Sequence, residues 1–171
     1  MKKYHVYGIG AALVDTEIEV SDEALQKAGV DKGLMTLVDE ERQSQICASV
    51  DEAMSGAKRA SGGSAANSII AVSAFGGNTY YSCKVANDQD GLFYLKDLHM
   101  AGVDTSSSSL SKEGTTGTCL VMITPDAERS MNTYLGISAT LSENEINLDA
   151  IEQSQYLYFE GYLVTSDTGR A

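Results

Sequence analysis

Residues 61–78 read SGGSAANSIIAVSAFGGN, a run of small residues bracketed by two glycine pairs. The pair Gly62-Gly63 lets backbone approach another group closely, because no Cβ stands in the way. A helix starting at Ser64 aims its unpaired N–H groups and the positive end of its dipole at whatever precedes it. Asn67 projects from the first turn of that helix, with one amide that both donates and accepts. The stretch reads in two ways. It is a cradle that holds a polar ligand against bare backbone, or it is a glycine turn followed by a tightly packed small-residue helix. Both readings put a buried helix here, and its neighbours decide the fold.

Outward from that helix, strands and helices alternate. Residues 4–9 (YHVYGI) read as a first strand and residues 79–85 (TYYSCKV) as another. A helix is expected over 89–101, carrying Leu92, Leu95 and Leu98 and stopped by Gly102. Residues 105–111 are serine-rich and read as a connection. Ser142 with Glu145 makes a capping box before a helix over 143–153, and 156–164 (YLYFEGYLV) reads as a buried strand. This rhythm is that of a parallel sheet with covering helices, an α/β protein. A short helix over 21–28 stops at Gly29, and 40–54 has helical spacing with Ile46, Val50 and Met54 on one side. The strands 16–20 (TEIEV), 34–38 (LMTLV) and the hairpin 118–135 do not fit the βα rhythm. They read as a separate small sheet with one wet face.

With 171 residues and 43% hydrophobic content, the chain is long enough for one domain with a sizeable core. Its net charge of −12 excludes a broad nucleic-acid surface, which needs clustered Lys and Arg. A small anionic substrate needs only one or two local cations and stays allowed. Cys47, Cys83 and Cys119 are widely spaced beside apolar neighbours, which suits reduced, mostly buried thiols in a cytoplasmic protein. No CxxC pair exists, His5 and His99 stand far apart, and no metal site is expected. No apolar run is long enough to span a bilayer, so no membrane partner is expected. Residues 8–13 (GIGAAL) begin like a dinucleotide fingerprint. Leu13, however, occupies a position that needs a small residue, and strand-like sequence follows where a helix is required. There is no P-loop and no GxSxG elbow.

Three polar residues remain as candidates. Asp15 closes the loop after the first strand, the carboxyl-end position where α/β sheets place ligands. A carboxylate there accepts two hydrogen bonds from a diol, although a turn or cap is the plainer use of an aspartate. Asn67 is the second, with an ordinary first-turn helix residue as its plainer reading. Arg129 is expected on the turn of the hairpin, where Glu128 is its plainer partner.

Residues 8–15 (GIGAALVD), 61–77 (SGGSAANSIIAVSAFGG), 101–106 (AGVDTS) and 114–131 (GTTGTCLVMITPDAERSM) resemble, in order and spacing, the ribokinase-like (PfkB) carbohydrate and nucleoside kinases. The glycine segment is similar to that family's first signature. Residues 124–136 (TPDAERSMNTYLG) are closest to adenosine kinase-like and unassigned sugar kinase members. The resemblance implies an α/β, doubly wound, mainly parallel sheet with a small β-sheet lid. It makes 1–171 the N-terminal part of the kinase domain, with lid strands near 16–20, 34–38 and 118–135. Asp15 would hold sugar hydroxyls, Gly62, Gly63 and Asn67 would line the same pocket, and Arg129 would meet the transferring phosphate. Met35 and Leu37 would be apolar lid residues and Tyr162 a wall for a base or ring. The family often has a polar residue four positions before the aspartate, where this chain has Ala11. Its second signature, a GAGD-like segment with the catalytic aspartate and the anion hole, is not found before Ala171.

The expectation is therefore a chain with its C-terminal half missing: substrate pocket and lid, no catalytic residue in this chain, and no turnover by it alone. The complete protein would be an ATP- and Mg²⁺-dependent kinase acting on a primary hydroxyl of an adenosine-like nucleoside or a sugar. The alternative is a noncatalytic sugar- or nucleoside-binding module. A homodimer through the lid is a further implication of the resemblance.

Overall fold

A computed structural model describes residues 2–165 and 167–170. The strands, in chain order, are β1 (Tyr4–Ile9), β2 (Leu13–Glu19), β3 (Met35–Leu37), β4 (Lys58–Gly62), β5 (Thr79–Ser82), β6 (Val85–Ala86), β7 (Val103–Thr105), β8 (Leu110–Ser111), β9 (Gly117–Ile123), β10 (Arg129–Tyr134) and β11 (Ser154–Phe159). The helices are α1 (Asp22–Lys27), α2 (Glu40–Ser49), α3 (Asp51–Met54), α4 (Ser64–Ala74), α5 (Gln89–Met100), α6 (Leu148–Glu152) and α7 (Asp167–Arg170). Contacts divide the chain into two compact units. One holds Met1–Val14, Ser61–Gly117 and Gly136–Ala171; the other holds Asp15–Ala60 and Thr118–Leu135.

The first unit is an α/β layer. Its sheet runs β11-β1-β5-β7 with every pair parallel. On one face Ala65, Ala66 and Ile69 of α4 and Tyr94 and Leu98 of α5 pack with Tyr81, Val85 and Val103. Gly8 allows the close approach of α4: a Cβ there would stand 2.5 Å from Ile69 Cγ1. On the other face Tyr4, Tyr7 and Tyr80 pack with Ala150 of α6, and the Tyr7 and Tyr80 rings stack at 5.2 Å. The Tyr7 hydroxyl is buried yet satisfied, by Ser82 Oγ at 2.5 Å and by the Asn147 N–H at 2.8 Å. Helices on both faces make the sheet doubly wound.

Local chemistry sets the helix starts. Asp88 caps α5 by accepting from the Gly91 N–H at 2.7 Å, and Asn147 caps α6 by accepting from the Ala150 N–H at 2.9 Å. Asp88 also takes the Thr116 N–H and hydroxyl at 2.8 and 2.6 Å, which ties the 114–117 loop to α5.

The second unit is a sheet in the order β3-β10-β9-β2-β4, with α1 and α2 on one face. Ile18, Leu120 and Met122 point into that core against Leu25, Ile46 and Val50. The β9–β10 hairpin is antiparallel, and β3 adds parallel to β10. The turn of the hairpin is braced by Lys32, which bridges Asp22 at 2.6 Å and Asp126 at 2.7 Å. Lys32, with the Thr124 hydroxyl, holds the Asp126 carboxyl down at about 2.

Several expectations need correction. The helix over 40–54 is two helices, because Val50 leaves helical geometry at φ −122° and starts α3. Residues 58–62 form β4, a strand hidden in the polar string KRASG. The strand over 79–85 is split into β5 and β6, and the serine connection contains β8. Leu92 of α5 faces outward at 53% exposure, and Tyr94 takes the core position. The capping box at Ser142 is real but opens only a 3-10 turn, Glu143–Glu145. Ile146 is extended there, so α6 starts afresh at Asn147. The strand expected over 156–164 ends at Phe159 and is not buried: Tyr156, Leu157 and Phe159 are all more than half exposed. Edge position explains it, since β11 pairs only with β1 among the described residues.

One exposed residue carries backbone strain. Ala127, in the hairpin turn closed by its N–H on the Thr124 carbonyl at 2.8 Å, has φ 66°. Such a left-handed residue following a turn is a glycine position. Ala127→Gly should therefore raise the unfolding free energy by about 0.5–1 kcal/mol in a urea titration. Loss of stability would show that the Ala127 methyl makes a contact worth more than the strain.

Candidate functional site

In the first unit, the glycine pair links the end of β4 to the start of α4. Gly63 precedes the helix at φ 100°, and a Cβ on it would stand 2.6 Å from the Ala11 carbonyl oxygen. Glycine is thus required twice over, by conformation and by space. Gly63 offers no side chain to cap α4. The Glu160 carboxylate, just past β11, supplies the cap: it accepts from the Ala65 N–H at 3.0 Å and the Ser64 hydroxyl at 2.5 Å through one oxygen. Its other oxygen takes the Ala11 N–H at 2.6 Å. A buried carboxylate at a helix N-terminus meets unpaired donors and the positive dipole end together.

Two phenols complete the bracing. Tyr81 donates to the Ala11 carbonyl at 3.0 Å and Tyr94 to the Gly62 carbonyl at 3.1 Å. Asn67 sits in the first turn of α4 with its side chain exposed, and its own N–H closes the first helical bond to Gly63 O. Tyr162 lies in the 3-10 turn Gly161–Thr165 and is 62% exposed.

In the second unit, the pleat sorts the candidates onto one face. Strand alternation places Asp15 and Glu17 opposite Ile18, which is in the core. Across the ladder, Arg129 pairs with Ile123, Met131 with Val121 and Met35, and Thr133 with Cys119 and Leu37. The Thr133 hydroxyl and Cys119 thiol lie 3.3 Å apart, so these two share a face. Asp15, Arg129, Met35 and Leu37 therefore lie on the same side of one sheet, away from α1 and α2. Two expected placements change. Asp15 is the third residue of β2 rather than the end of a loop, because Leu13 and Val14 already pair as strand. Arg129 is the first residue of β10 rather than part of the turn, and its ion pair is with Glu17, not Glu128.

The electrostatics of that face are specific. Burial, then the Glu17 charge, lift the Asp15 carboxyl from 3.8 to about 6, and Arg129 offsets part of the rise. Burial pushes the neighbouring Cys119 thiol up to about 11. A half-buried carboxyl beside a guanidinium can hold a polyhydroxylated neutral molecule and an anion side by side. Among the described residues, no group of three or more His, Cys, Asp or Glu side chains could hold a metal ion, and no helix is long and apolar enough to cross a membrane.

The sequence pattern of the pfkB family carbohydrate kinases matches residues 25–171. The chain belongs to the PfkB family. Its fold is similar to that of the adenosine kinase from Sinorhizobium meliloti, at TM-score 0.87 and 36% identity, over 98% of this chain and 50% of that one. It is similar also to a probable sugar kinase from Rhizobium etli CFN 42, at TM-score 0.88 and 32% identity, over 99% of this chain and 50% of that one. A fructokinase from Solanum tuberosum is 30% identical over 103 residues, which cover 59% of this PfkB chain and 32% of the relative. The chain thus spans half the length of these solved kinases and a third of that curated relative. The ribokinase-like α/β fold expected from the four motifs is the fold of the PfkB chain.

Two residues escaped the reading of the sequence. Glu160 had a signal, one acid in the middle of an aromatic run, YLYFEGY. Glu17 had one too, since strict alternation in TEIEV puts it on the side of Asp15.

Two outcomes follow. Glu160→Ala strands the Ala11 and Ala65 amides and should cost about 3 kcal/mol in urea unfolding, with Glu160→Gln, which keeps one acceptor, losing about half as much. Near-neutral values for both would mean the amides have other partners. The second outcome concerns Asp15. Its folded value lies above its unfolded one, so its contribution to stability is unpenalised at low pH and falls as pH rises towards about 6. Asp15→Asn should raise Tm at about pH 7.5 and leave it unchanged at about pH 4. Equal shifts at both pH values would remove ionisation as the cause.

Proposed function

We propose that this chain is the N-terminal, substrate-binding part of a cytoplasmic ATP-dependent kinase that phosphorylates a primary hydroxyl of a nucleoside or sugar, adenosine-like substrates leading. On this reading residues 1–171 belong to one kinase domain whose lid strands lie near 16–20, 34–38 and 118–135. Family membership supports the reaction class, and the 36% identity to an adenosine kinase over nearly the whole chain supports the nucleoside preference. The observation that carries the site is the single sheet face bearing both Asp15 and Arg129, with the Asp15 carboxyl lifted to about 6.

The roles follow from the chemistry of each group. Asp15 accepts from sugar hydroxyls, and a partly desolvated carboxylate makes strong charge-assisted bonds to them. Gly62 and Gly63 present bare backbone, and Asn67 adds an amide that reads a hydroxyl in either sense. Met35 and Leu37 supply an apolar surface, and Tyr162 a ring for stacking. Arg129 meets the transferring phosphoryl group, where a planar guanidinium fits the equatorial oxygens. ATP would supply the phosphoryl group, and Mg²⁺ would shield its charge. Among the described residues, no group of three or more His, Cys, Asp or Glu side chains could hold that ion. The base that accepts the hydroxyl proton and the donors for the developing charge are expected outside residues 1–171.

The test is kinetic. The intact gene product, supplied with ATP and Mg²⁺, is assayed against adenosine, other nucleosides, ribose and fructose, and the phosphorylated product is identified. Asp15→Asn should weaken substrate affinity by roughly tenfold or more, and Arg129→Ala should lower kcat by about 100-fold with a smaller change in ground-state binding. Binding of a nucleoside or sugar without phosphorylation of any would leave a binding module instead. Unchanged affinity in Asp15→Asn would take Asp15 out of the pocket.

A further inference from the structure

Arg129 is already occupied. Its Nη2 forms an ion pair with the Glu17 carboxylate, and that contact joins the first residue of β10 to the middle of β2. Both side chains remain accessible, at 53% and 37% exposure. Glu17 follows Asp15 by two positions on β2, so both carboxylates share the sheet face that carries Arg129. One guanidinium therefore serves two carboxylates, in direct contact with Glu17 and through space with Asp15.

We propose that Glu17 is a positioning residue that parks Arg129: it holds the guanidinium beside Asp15 while no anion is bound, and gives it up to a phosphoryl group when one arrives. This rests on the phosphate-contacting role proposed above for Arg129. Two observations and one chemical preference carry it. An ion pair this exposed holds its partners weakly, so exchange is cheap. A phosphoryl group offers two negative charges and paired oxygens to the same fork, which outcompetes one carboxylate. The contact is also built rather than incidental, since the β2 alternation and the start of β10 put both residues at fixed places on one face. Without Glu17, a long side chain at a strand end would sample many rotamers and lose entropy on meeting the anion. Parking limits that loss, and the competing Glu17 charge, which the anion must displace, is the larger effect on affinity.

The experiment uses the intact gene product with inorganic phosphate as the probe. Phosphate is titrated into the wild type and Glu17→Gln, following the Arg129 guanidinium NMR signals and the heat of binding. In the unliganded proteins the Arg129 signals should differ, because only the wild type has the carboxylate partner. At saturating phosphate the two sets should converge, and Glu17→Gln should bind phosphate about two- to fivefold more tightly. Signals that stay apart at saturation would show Glu17 still holding Arg129 and overturn the exchange. Equal affinities, or no phosphate effect on Arg129 in the wild type, would overturn it as well. The reaction assay separates this failure from that of the kinase reading. Turnover with unchanged phosphate binding keeps the kinase and discards the parking contact. Tightened phosphate binding with no phosphorylated product discards the kinase and keeps the contact.

Discussion

A helix preceded by a glycine at φ 100° has no side chain of its own with which to cap its first turn, and α4 takes its cap from the far end of the chain. The Glu160 carboxylate that fills this role also holds the Ala11 amide, so one buried charge fixes two backbone segments against each other. Those segments leave no slack. Side chains on Gly10 and Gly63 would clash with Ala65 and with Ala11, and the Tyr81 and Tyr94 hydroxyls take the carbonyls left over. A carboxylate buried to this degree is tolerable because the Ala11 and Ala65 amides and the Ser64 hydroxyl are aimed at it. The placement of Gly62, Gly63 and Asn67 follows from that contact, and so does the direction in which α4 points its free end.

The second unit solves a different problem. Its sheet has a dry face, packed by α1 and α2, and a face that carries charge. A carboxyl lifted to about 6 is a group the fold stabilises poorly at neutral pH. Fold stability alone would favour an apolar residue or an asparagine at position 15. An acid there costs stability at neutral pH, which fits the substrate-binding role proposed for Asp15, since functional sites often carry such groups. The ion pair between Glu17 and Arg129 relieves it only in part, because the Arg129 charge lowers the Asp15 value while the Glu17 charge raises it.

The alternation of strand and helix was legible where periodicity was long and local signals agreed, as in β1, α4, α5 and the β9–β10 hairpin. It failed where tertiary contacts overrode local ones. Lys58–Gly62 has almost no β-propensity and is a strand because β2 offers it a ladder. The capping box at Ser142 is correct chemistry attached to the wrong length, since Glu145 is drawn into a buried ion pair with Lys84 at 3.1 Å and the chain leaves helix at Ile146. The aromatic run at β11 looked buried because composition reports hydrophobicity, not position in the sheet; an edge strand exposes the same residues a central one hides. At the site, residue types could be chosen from the motifs, but not their partners. Arg129 beside Glu128 in sequence is a strand neighbour of Ile123 and an ion-pair partner of Glu17 in space, and only a register can say so.

If Arg129 meets a phosphoryl group as proposed, charge arithmetic makes shape matter more than sign. The chain carries −12 overall, but screening over about 8 Å at physiological salt leaves only near groups to matter to an arriving anion. The groups shown to act on or with Arg129 are Glu17 and Asp15, and these three charges sum to zero with Asp15 protonated and to −1 once it ionises. On the role proposed for Arg129, a diffuse positive field would not be what draws a phosphoryl group to this sheet. Recognition on that proposal would come from the planar fork of the guanidinium, which offers two parallel donors to two oxygens of one group. A lysine at position 129 would bring the same charge and lack that geometry. On that proposal the acidic surroundings would act as a filter, discouraging anions in general and leaving an advantage to those whose oxygens match the fork.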